Sequence, residues 1–355
     1  MDLIPDLPPD MGLECLVRIP YQHFASVSSV CRSWKREIEL PEFWRHRKAS
    51  GLTKKVVVLA QSWADPTREL GPVKYAAAPV YRLTVCEPET GFWAELPPIP
   101  EYSDGLPMFC QLVGVGSSLV VMGGLDPVTW EASNGVFLYD FVTGRWRRRA
   151  DMPGIRRSFF ACAADSDHMV FVAGGHDTEK CALKSAMAYD VATDEWAHMP
   201  DMARERDESE GVYCRGMFHV IGGYPSTAQG RFVTSAESFD AATWQWGPVE
   251  EDFLGSAACS LNCADGGDGK LVMLSGACVA VREGPAWRAA AELPHDVRNT
   301  TCVTAWQGKV MVIGSEIFGG PYKTYVLDLK SCKSEGVDVE EDFSGHVQSG
   351  CCMEL

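Results

Sequence analysis

The sequence lacks the long apolar run that a membrane-spanning helix requires. No stretch of about 18 uninterrupted apolar residues occurs in its 355 residues. The opening MDLIPDLPPD carries acids and prolines where a secretory signal needs a basic start followed by an apolar segment. We therefore expect a protein of the cytoplasm or the nucleus that does not bind membranes.

Basic residues are also in short supply. The chain has 32 Lys and Arg against 48 Asp and Glu, which gives a formal net charge of -16. Such a charge repels nucleic-acid phosphates and anionic lipid headgroups. The composition therefore argues against a nucleic-acid partner and favours a protein partner with a neutral or basic surface.

Sequence motifs of catalysis and metal binding are absent as well. There is no G-x-S-x-G elbow, phosphate-binding P-loop or H-E-x-x-H helix, and the eight histidines are dispersed. The close cysteine pairs, Cys259 with Cys263 and Cys351 with Cys352, have no histidine pair at ligand spacing beside them. We expect no enzymatic activity, no metal and no other cofactor. Most of the 14 cysteines lie in apolar runs, which is typical of reduced core residues.

Residues 1–50 have the pattern of a small helical module. Apolar residues recur at three-to-four spacing in two stripes, separated by Pro20 and ended by Pro41. The stripes consist of Met11, Cys15, Leu16 and Ile19, and of Phe24, Val27, Val30, Cys31, Trp34 and Ile38. About fifty residues make a marginal core, so we expect another protein to cover part of this apolar surface.

Residues 51–355 have the pattern of short strands that repeat. Diglycines at 123–124, 174–175 and 222–223 each end an apolar run, and each is followed by an aromatic-Asp pair and then by a tryptophan. The tryptophans Trp146, Trp196 and Trp246 are fifty residues apart. A strand, diglycine, aromatic-Asp and Trp unit with this period is typical of a kelch-type β-propeller. The fold class is therefore mainly β, a propeller preceded by a small α-helical module.

The repeats predict six blades, with five as the alternative because the last two units are degenerate. The first unit lacks an inner strand before its VVVL run. An open ring would expose a sheet edge. We therefore expect the region after Asp328 to supply the missing strand or otherwise complete the last blade.

The helical module resembles an F-box over its whole length. The resemblance rests on the Leu7-Pro8 opening, the Ile19-Pro20 break and the VCRSW stretch at Val30 to Trp34. It implies docking on the Skp-type adaptor of an SCF ubiquitin ligase. The implied docking or supporting residues are Leu7, Pro8, Leu16, Ile19, Pro20, Val30, Cys31 and Trp34. The alternative is a self-contained helical cap that packs on the rest of the chain and has these residues as its core.

Target recognition is expected in the propeller loops, since propellers carry function there. Arg157, Arg206 and Arg298 each lie 16 or 17 residues before Gly174, Gly222 and Gly314, which places them in register near one face. Arginine suits recognition because its planar group binds carboxylates and carbonyls. The alternative is that the three arginines cap loop carbonyls between blades.

Two other loop features are candidates for target binding. Acidic runs occupy 205–210 and 250–252, where they would either steer a basic partner or form a solvated surface. The stretch from Ser62 to Ala78 is longer than a hairpin needs and is either a binding loop or a tolerated insertion.

The order of the two regions resembles plant F-box/kelch-repeat proteins. The opening LIPDLPPDMGLECLVRIPYQHFASVSSVCRSW, followed by RHRKASG and VVVLAQ, is similar to the subgroup that targets phenylalanine ammonia-lyase and so restrains phenylpropanoid synthesis. The resemblance implies a non-catalytic substrate receptor that is joined through the adaptor to a cullin and commits its target to degradation. Type-B response regulators of cytokinin signalling are the alternative target, and a non-degradative kelch scaffold is the alternative function.

Overall fold

The chain folds into four helices followed by a ring of strands. A computed structural model describes residues 3–64, 79–165, 167–255, 262–267 and 269–355. Within these residues the α-helices are α1 (Pro9–Val17), α2 (Phe24–Val30), α3 (Arg32–Glu39) and α4 (Pro41–Ala49). None of the described helices has both the length and the apolar character that crossing a membrane requires.

Two of the helices share the second apolar stripe, which is broken at Cys31. This residue is extended, with φ -158° and ψ 163°, and its Sγ accepts a hydrogen bond from the backbone N–H of Trp34 at 3.5 Å. The bond satisfies one of the free donors at the start of α3. Pro41 occupies the first turn of α4, where a missing N–H costs nothing.

The remaining regular structure is β-sheet. The strands are β1 (Lys55–Ser62), β2 (Tyr81–Glu87), β3 (Phe92–Glu95), β4 (Gln111–Val115), β5 (Ser118–Met122), β6 (Val136–Asp140), β7 (Arg145–Arg148), β8 (Ala161–Ala164), β9 (Met169–Ala173), β10 (Ala186–Asp190), β11 (Glu195–Met199), β12 (Asp207–Cys214), β13 (Met217–Tyr224), β14 (Ala236–Asp240), β15 (Gln245–Trp246), β16 (Cys263–Asp265), β17 (Leu271–Ser275), β18 (Cys278–Glu283), β19 (Ala286–Glu292), β20 (Asn299–Trp306), β21 (Lys309–Ser315), β22 (Lys323–Asp328), β23 (Lys333–Val337) and β24 (Val347–Glu354). In many of these strands every residue, or every second residue, is buried, as expected for blades packed on both faces.

These strands form six four-stranded antiparallel sheets, the six blades of a propeller, so the prediction of six blades is confirmed for the described residues. Blades 2 to 6 take four consecutive strands each, from β4–β7 to β20–β23. Blade 1 has the order β24-β1-β2-β3, and its register places Val57 opposite Cys352. The expected completion of the ring by the C-terminal region is therefore confirmed.

The repeated residues hold the blades together. The indole N–H groups of Trp146, Trp196 and Trp246 donate to the carbonyls of Pro97, Ala150 and Pro200, all at the exit from the preceding blade, at 2.8, 2.9 and 2.6 Å. Each aromatic-Asp pair ends a strand, because the aspartate accepts backbone N–H bonds in the following turn, as Asp140 does from Val142 at 2.8 Å. The repeat residues are thus scaffold.

Diglycines lie where the second strands of blades 2 to 4 end. Gly123 and Gly124 have φ of 65° and 87°. A Cβ on Gly124 would lie 2.7 Å from the carbonyl oxygen of Met108. No side chain tolerates that distance, so the turn requires glycine at this position.

The up-and-down strand order gives the propeller two different faces. The turns between first and second strands and between third and fourth strands lie on one face, which we call the turn face. The loops between second and third strands, and the connections between blades, lie on the other, which we call the loop face. The helices pack on the turn face, because Tyr21 contacts Phe141 with ring centroids 6.3 Å apart and Gln22 donates to Glu87.

Helices and propeller share one apolar core. Leu16, Phe24, Ile38 and Phe43 are almost fully buried in a cluster that also contains blade residues such as Tyr139. The propeller therefore covers part of the apolar surface that we expected another protein to cover.

Replacing Trp196 with Ala should lower the free energy of unfolding by about 3 kcal/mol, since the change removes large contact area as well as a bond to the neighbouring blade. Urea unfolding measures this change. Trp130→Ala is the matched control, because Trp130 is 52% exposed and its loss should change stability by less than about 0.5 kcal/mol. Equal unfolding midpoints for the two variants would contradict the interblade role of Trp196.

Candidate interaction surfaces and the central channel

The residues predicted to bind an adaptor have different degrees of exposure. Leu16 is 1% exposed and belongs to the core, so it can only support a docking surface. Leu7, Ile19 and Trp34 are partly exposed, and the indole N–H of Trp34 donates to the Leu3 carbonyl at 2.6 Å. The exposed members are Pro8, Pro20, Val30 and Cys31.

Large apolar side chains remain exposed on the helical module after it has packed on the propeller. Val30, Met11 and Leu40 are 61%, 51% and 36% exposed. Sequence analysis did not single out Leu40 and used Met11 only as part of a helical stripe. Uncovered apolar surface on so small a module is typical of a protein interface.

Arg157 and Arg206 are in register, as predicted, but both are buried. They are 2% and 1% exposed, and each bonds a diglycine carbonyl, that of Gly174 at 3.1 Å and that of Gly222 at 2.7 Å. Each also bonds a serine before the third strand. These contacts favour the alternative that the two arginines cap loop carbonyls, since neither presents a free guanidinium to a partner.

The two buried arginines differ in their charge partners. Nε of Arg206 lies 3.2 Å from Oε1 of Glu237, which is itself fully buried. Burial lowers the pKa of Arg157 to about 10, and it also lowers the pKa of Arg206, where Glu237 opposes the shift. Arg298 lies at the end of a 3-10 turn and is exposed, so it alone of the three remains available for contact.

The acidic run at 205–210 is not a loop, contrary to our prediction. Strand β12 begins at Asp207, so the run continues into a buried sheet. Asp207 is 2% exposed, whereas Glu205 is exposed before the strand. The prediction failed because a strand can continue through charged residues when neighbouring groups form hydrogen bonds or ion pairs with their side chains. The candidate stretch from Ser62 to Ala78 lies mostly outside the described residues.

Among the described residues, exposed large apolar side chains on the loop face are confined to one part of the ring. Val128 is 84% exposed and Trp130 52% in the β5–β6 loop, and Phe318 is 59% exposed in the β21–β22 loop. We call the full set the apolar patch: Trp63, Val80, Val128, Trp130, Ile155, Ile317 and Phe318. Its members belong to the consecutive blades 6, 1 and 2 and to the link into blade 3. Sequence analysis missed them, because isolated apolar residues in loops have no periodicity.

A serine, a histidine and an aspartate tie blade 3 to blade 4. Oγ of Ser158 lies 2.9 Å from Nε2 of His176, whose Nδ1 lies 2.8 Å from Oδ1 of Asp207. This is the bonding order of a nucleophilic triad. Ser158 is however only 1% exposed, so a substrate carbonyl cannot reach its oxygen in this structure. The arrangement acts as a structural tie between blades.

A central channel of about 710 Å³ runs between the innermost strands of the six blades. The innermost strands are β24, β4, β8, β12, β16 and β20. The end of the channel at the turn face is bordered by Trp44, Arg45 and Lys48 of α4. No group of three or more potential metal ligands lies together in the described part of the chain.

Comparison with known proteins identifies the families of the two regions. Residues 4–46 match the F-box domain family, and residues 109–153 and 156–203 match the Kelch motif family. Two Arabidopsis thaliana proteins, F-box/kelch-repeat proteins At1g80440 and At1g15670, are 48% and 47% identical to the chain. Each alignment covers 100% of this chain and 100% of the Arabidopsis protein. The chain belongs to the F-box/kelch-repeat proteins.

Members of this family are, in general, substrate receptors of SCF ubiquitin ligases, and their F-box binds a Skp-type adaptor. The solved structure of YjhT resembles this F-box/kelch-repeat protein with a TM-score of 0.57, covering 76% of this chain and 99% of its own. At 12% identity that likeness shows the propeller fold alone.

Arg206→Ala should lower the free energy of unfolding by about 3 to 5 kcal/mol, because it leaves the carboxylate of Glu237 buried without its ion pair. The control is Arg204→Ala. Arg204 lies two residues earlier in the same connection but is exposed and pairs with Glu251 on the surface, so its loss should cost less than about 1 kcal/mol. Chemical unfolding of both variants measures the difference. If Arg206→Ala were as stable as the wild type but had lost target binding, the predicted role of Arg206 in target recognition would be supported instead.

Proposed function

We propose that this chain recruits a target protein to an SCF ubiquitin ligase, with the adaptor on the helical module and the target on the loop face. The observation that carries the proposal is the distribution of exposed large apolar side chains. One set, which includes Val30 and Met11, lies on the F-box, which packs on the turn face. The other is the apolar patch, on the opposite face. Two separate apolar surfaces suit a protein that bridges two partners.

The receptor would act by proximity rather than by chemistry. A target held on the loop face gains a high effective concentration near the ubiquitin-transferring subunits, which lie beyond the adaptor and the cullin. The F-box is anchored for this task. Arg47 is 2% exposed and donates to the carbonyls of Ile19 and Leu52 at 2.8 and 3.0 Å, which fixes α4 to the rest of the module and to the link into β1.

The target that we propose is phenylalanine ammonia-lyase, on the resemblance of the F-box and the junction after it. Degradation of that enzyme would restrain phenylpropanoid synthesis. A type-B response regulator is the alternative target. A non-degradative scaffold is the alternative function, and co-purification with a Skp-type adaptor and a cullin distinguishes it from a ligase receptor.

The double variant Leu7→Ala, Pro8→Ala should weaken adaptor binding by at least about thirtyfold, because these residues border the exposed surface of the helical module and are not in its core. Surface plasmon resonance with purified adaptor measures the affinity. Val128→Ala is the control, since it removes a highly exposed apolar side chain on the opposite face. Undiminished binding by the double variant would overturn the assignment of this surface.

Trp130→Ala combined with Phe318→Ala should reduce capture of phenylalanine ammonia-lyase by at least about tenfold while adaptor binding and melting temperature stay unchanged. The control is Phe92→Ala, which removes an exposed aromatic ring at the turn face. An unaltered affinity would contradict target binding by the apolar patch and would leave Arg298 and the acidic loop at 250–252 as the candidates for target binding. If the wild-type chain captures only a type-B response regulator, that protein replaces the enzyme as the target.

A further inference from the structure

A carboxylate without a partner lies in the wall of the central channel. Glu210 is in the middle of β12 and lines the channel. It is partly exposed, and it accepts no hydrogen bond from the described residues. Its neighbour Glu208, two residues earlier on the same strand, accepts a hydrogen bond from the Tyr224 hydroxyl at 2.9 Å. Charged groups inside proteins are normally paired, so an unpaired carboxylate at this depth requires an explanation.

The channel supplies no basic partner for Glu210. The basic side chains among the described lining residues are Arg45, Lys48 and Lys55. Lys48 and Lys55 lie 3.1 and 2.7 Å from Oε2 of Glu354, and Arg45 lies 2.5 Å from Oε1 of Glu42. All three therefore already have a carboxylate partner at the turn-face end.

Other groups that face Glu210 from the neighbouring innermost strands do not neutralise its charge either. They are the thiols of Cys162 on β8, Cys263 on β16 and Cys302 on β20. Burial raises the pKa of each thiol well above its ordinary value, and the charge of Glu210 adds to the shift, so the thiols stay neutral. Asp167, in the β8–β9 turn, and Asp265, at the end of β16, lie at the turn face and are acidic as well.

Burial raises the pKa of Glu210 itself to about 8. Without a cation beside it, this group is therefore mostly the neutral acid near pH 7. A cation beside it would favour the ionised form, and the proton would leave to solvent. Cation binding and proton release are thus coupled at this residue.

We propose that the channel is a binding site for one alkylammonium group, either a free amine or a lysine side chain of a bound protein, whose charge pairs with Glu210. The volume of about 710 Å³ accommodates such a chain. The site is independent of which target the apolar patch binds.

Isothermal titration of the full chain with n-butylammonium chloride tests the site, with 1-pentanol as the neutral probe. We expect the ammonium to bind, the alcohol to bind far more weakly, and about one proton to be released per ammonium near pH 7, measured in buffers of different ionisation enthalpy. Glu210→Gln should lower the ammonium affinity by at least about thirtyfold and abolish the proton release.

Glu208→Gln is the matched control, since it neutralises a glutamate on the same strand whose carboxylate already has a partner. It should leave both binding and proton release unchanged, and melting temperatures verify that both variants fold. Nα-acetyl-lysine amide distinguishes the sources: its binding extends the site to lysine side chains, whereas binding of butylammonium alone assigns it to free amines. The proposal would be overturned if neither n-butylammonium nor Nα-acetyl-lysine amide bound. It would also be overturned if the wild type and Glu210→Gln bound n-butylammonium with equal affinity.

Discussion

The pairing of β24 with β1 is the constraint on which the rest of the structure depends. Without it, β1 would present an unpaired edge and the ring of innermost strands would stay open. The same pairing positions the F-box, since Glu354 at the end of β24 contacts Lys48 of α4, Thr53 and Lys55. Burial alone would raise the pKa of Glu354, but these donors hold it at about 2, so the carboxylate stays ionised. Ring closure and placement of the helical module therefore rest on the same residues.

This arrangement separates the two proposed interaction surfaces. The helices occupy the turn face beside blades 1 and 2, where Tyr21 and Gln22 contact the strand ends. Long loops project from the opposite face of the ring. A partner on the loop face therefore does not compete for space with an adaptor on the F-box. At the turn face, α4 borders the end of the central channel.

The fold was largely predictable from the sequence because each repeat contains, at a fixed spacing, the residues that shape one blade and join it to the next. Trp146, Trp196 and Trp246 recur with the diglycines at a fixed spacing, and each bonds the preceding blade in the same way. The missing inner strand of blade 1 was also predictable, because the repeat has an expected strand order. Hydrogen bonding at the closing interface is nevertheless incomplete, since the indole N–H of Trp93 is buried there without a partner among the described residues.

The candidate site was harder to predict, because register gives the position of a side chain but not its direction. Arg206 recurs at the position of Arg157, yet both turn inward to carbonyls that the diglycines leave accessible. Exposure has no sequence period either, so the apolar patch could not be found by spacing. Glu210 belonged to a charge run that is typical of a solvated loop, and only the strand pairing places it in the channel.

Hydrogen exchange of the full chain, alone and with Skp-type adaptor and cullin bound, tests the central claim most directly. The account predicts new protection in α1 to α3, around the exposed Met11 and Val30, and none in the loop-face segments 123–135 and 316–322. Subsequent addition of the target should protect those loop segments without disturbing the helices. Protection of the loop face by the adaptor, or no protection of the helices at all, would contradict a receptor that holds its two partners on opposite faces.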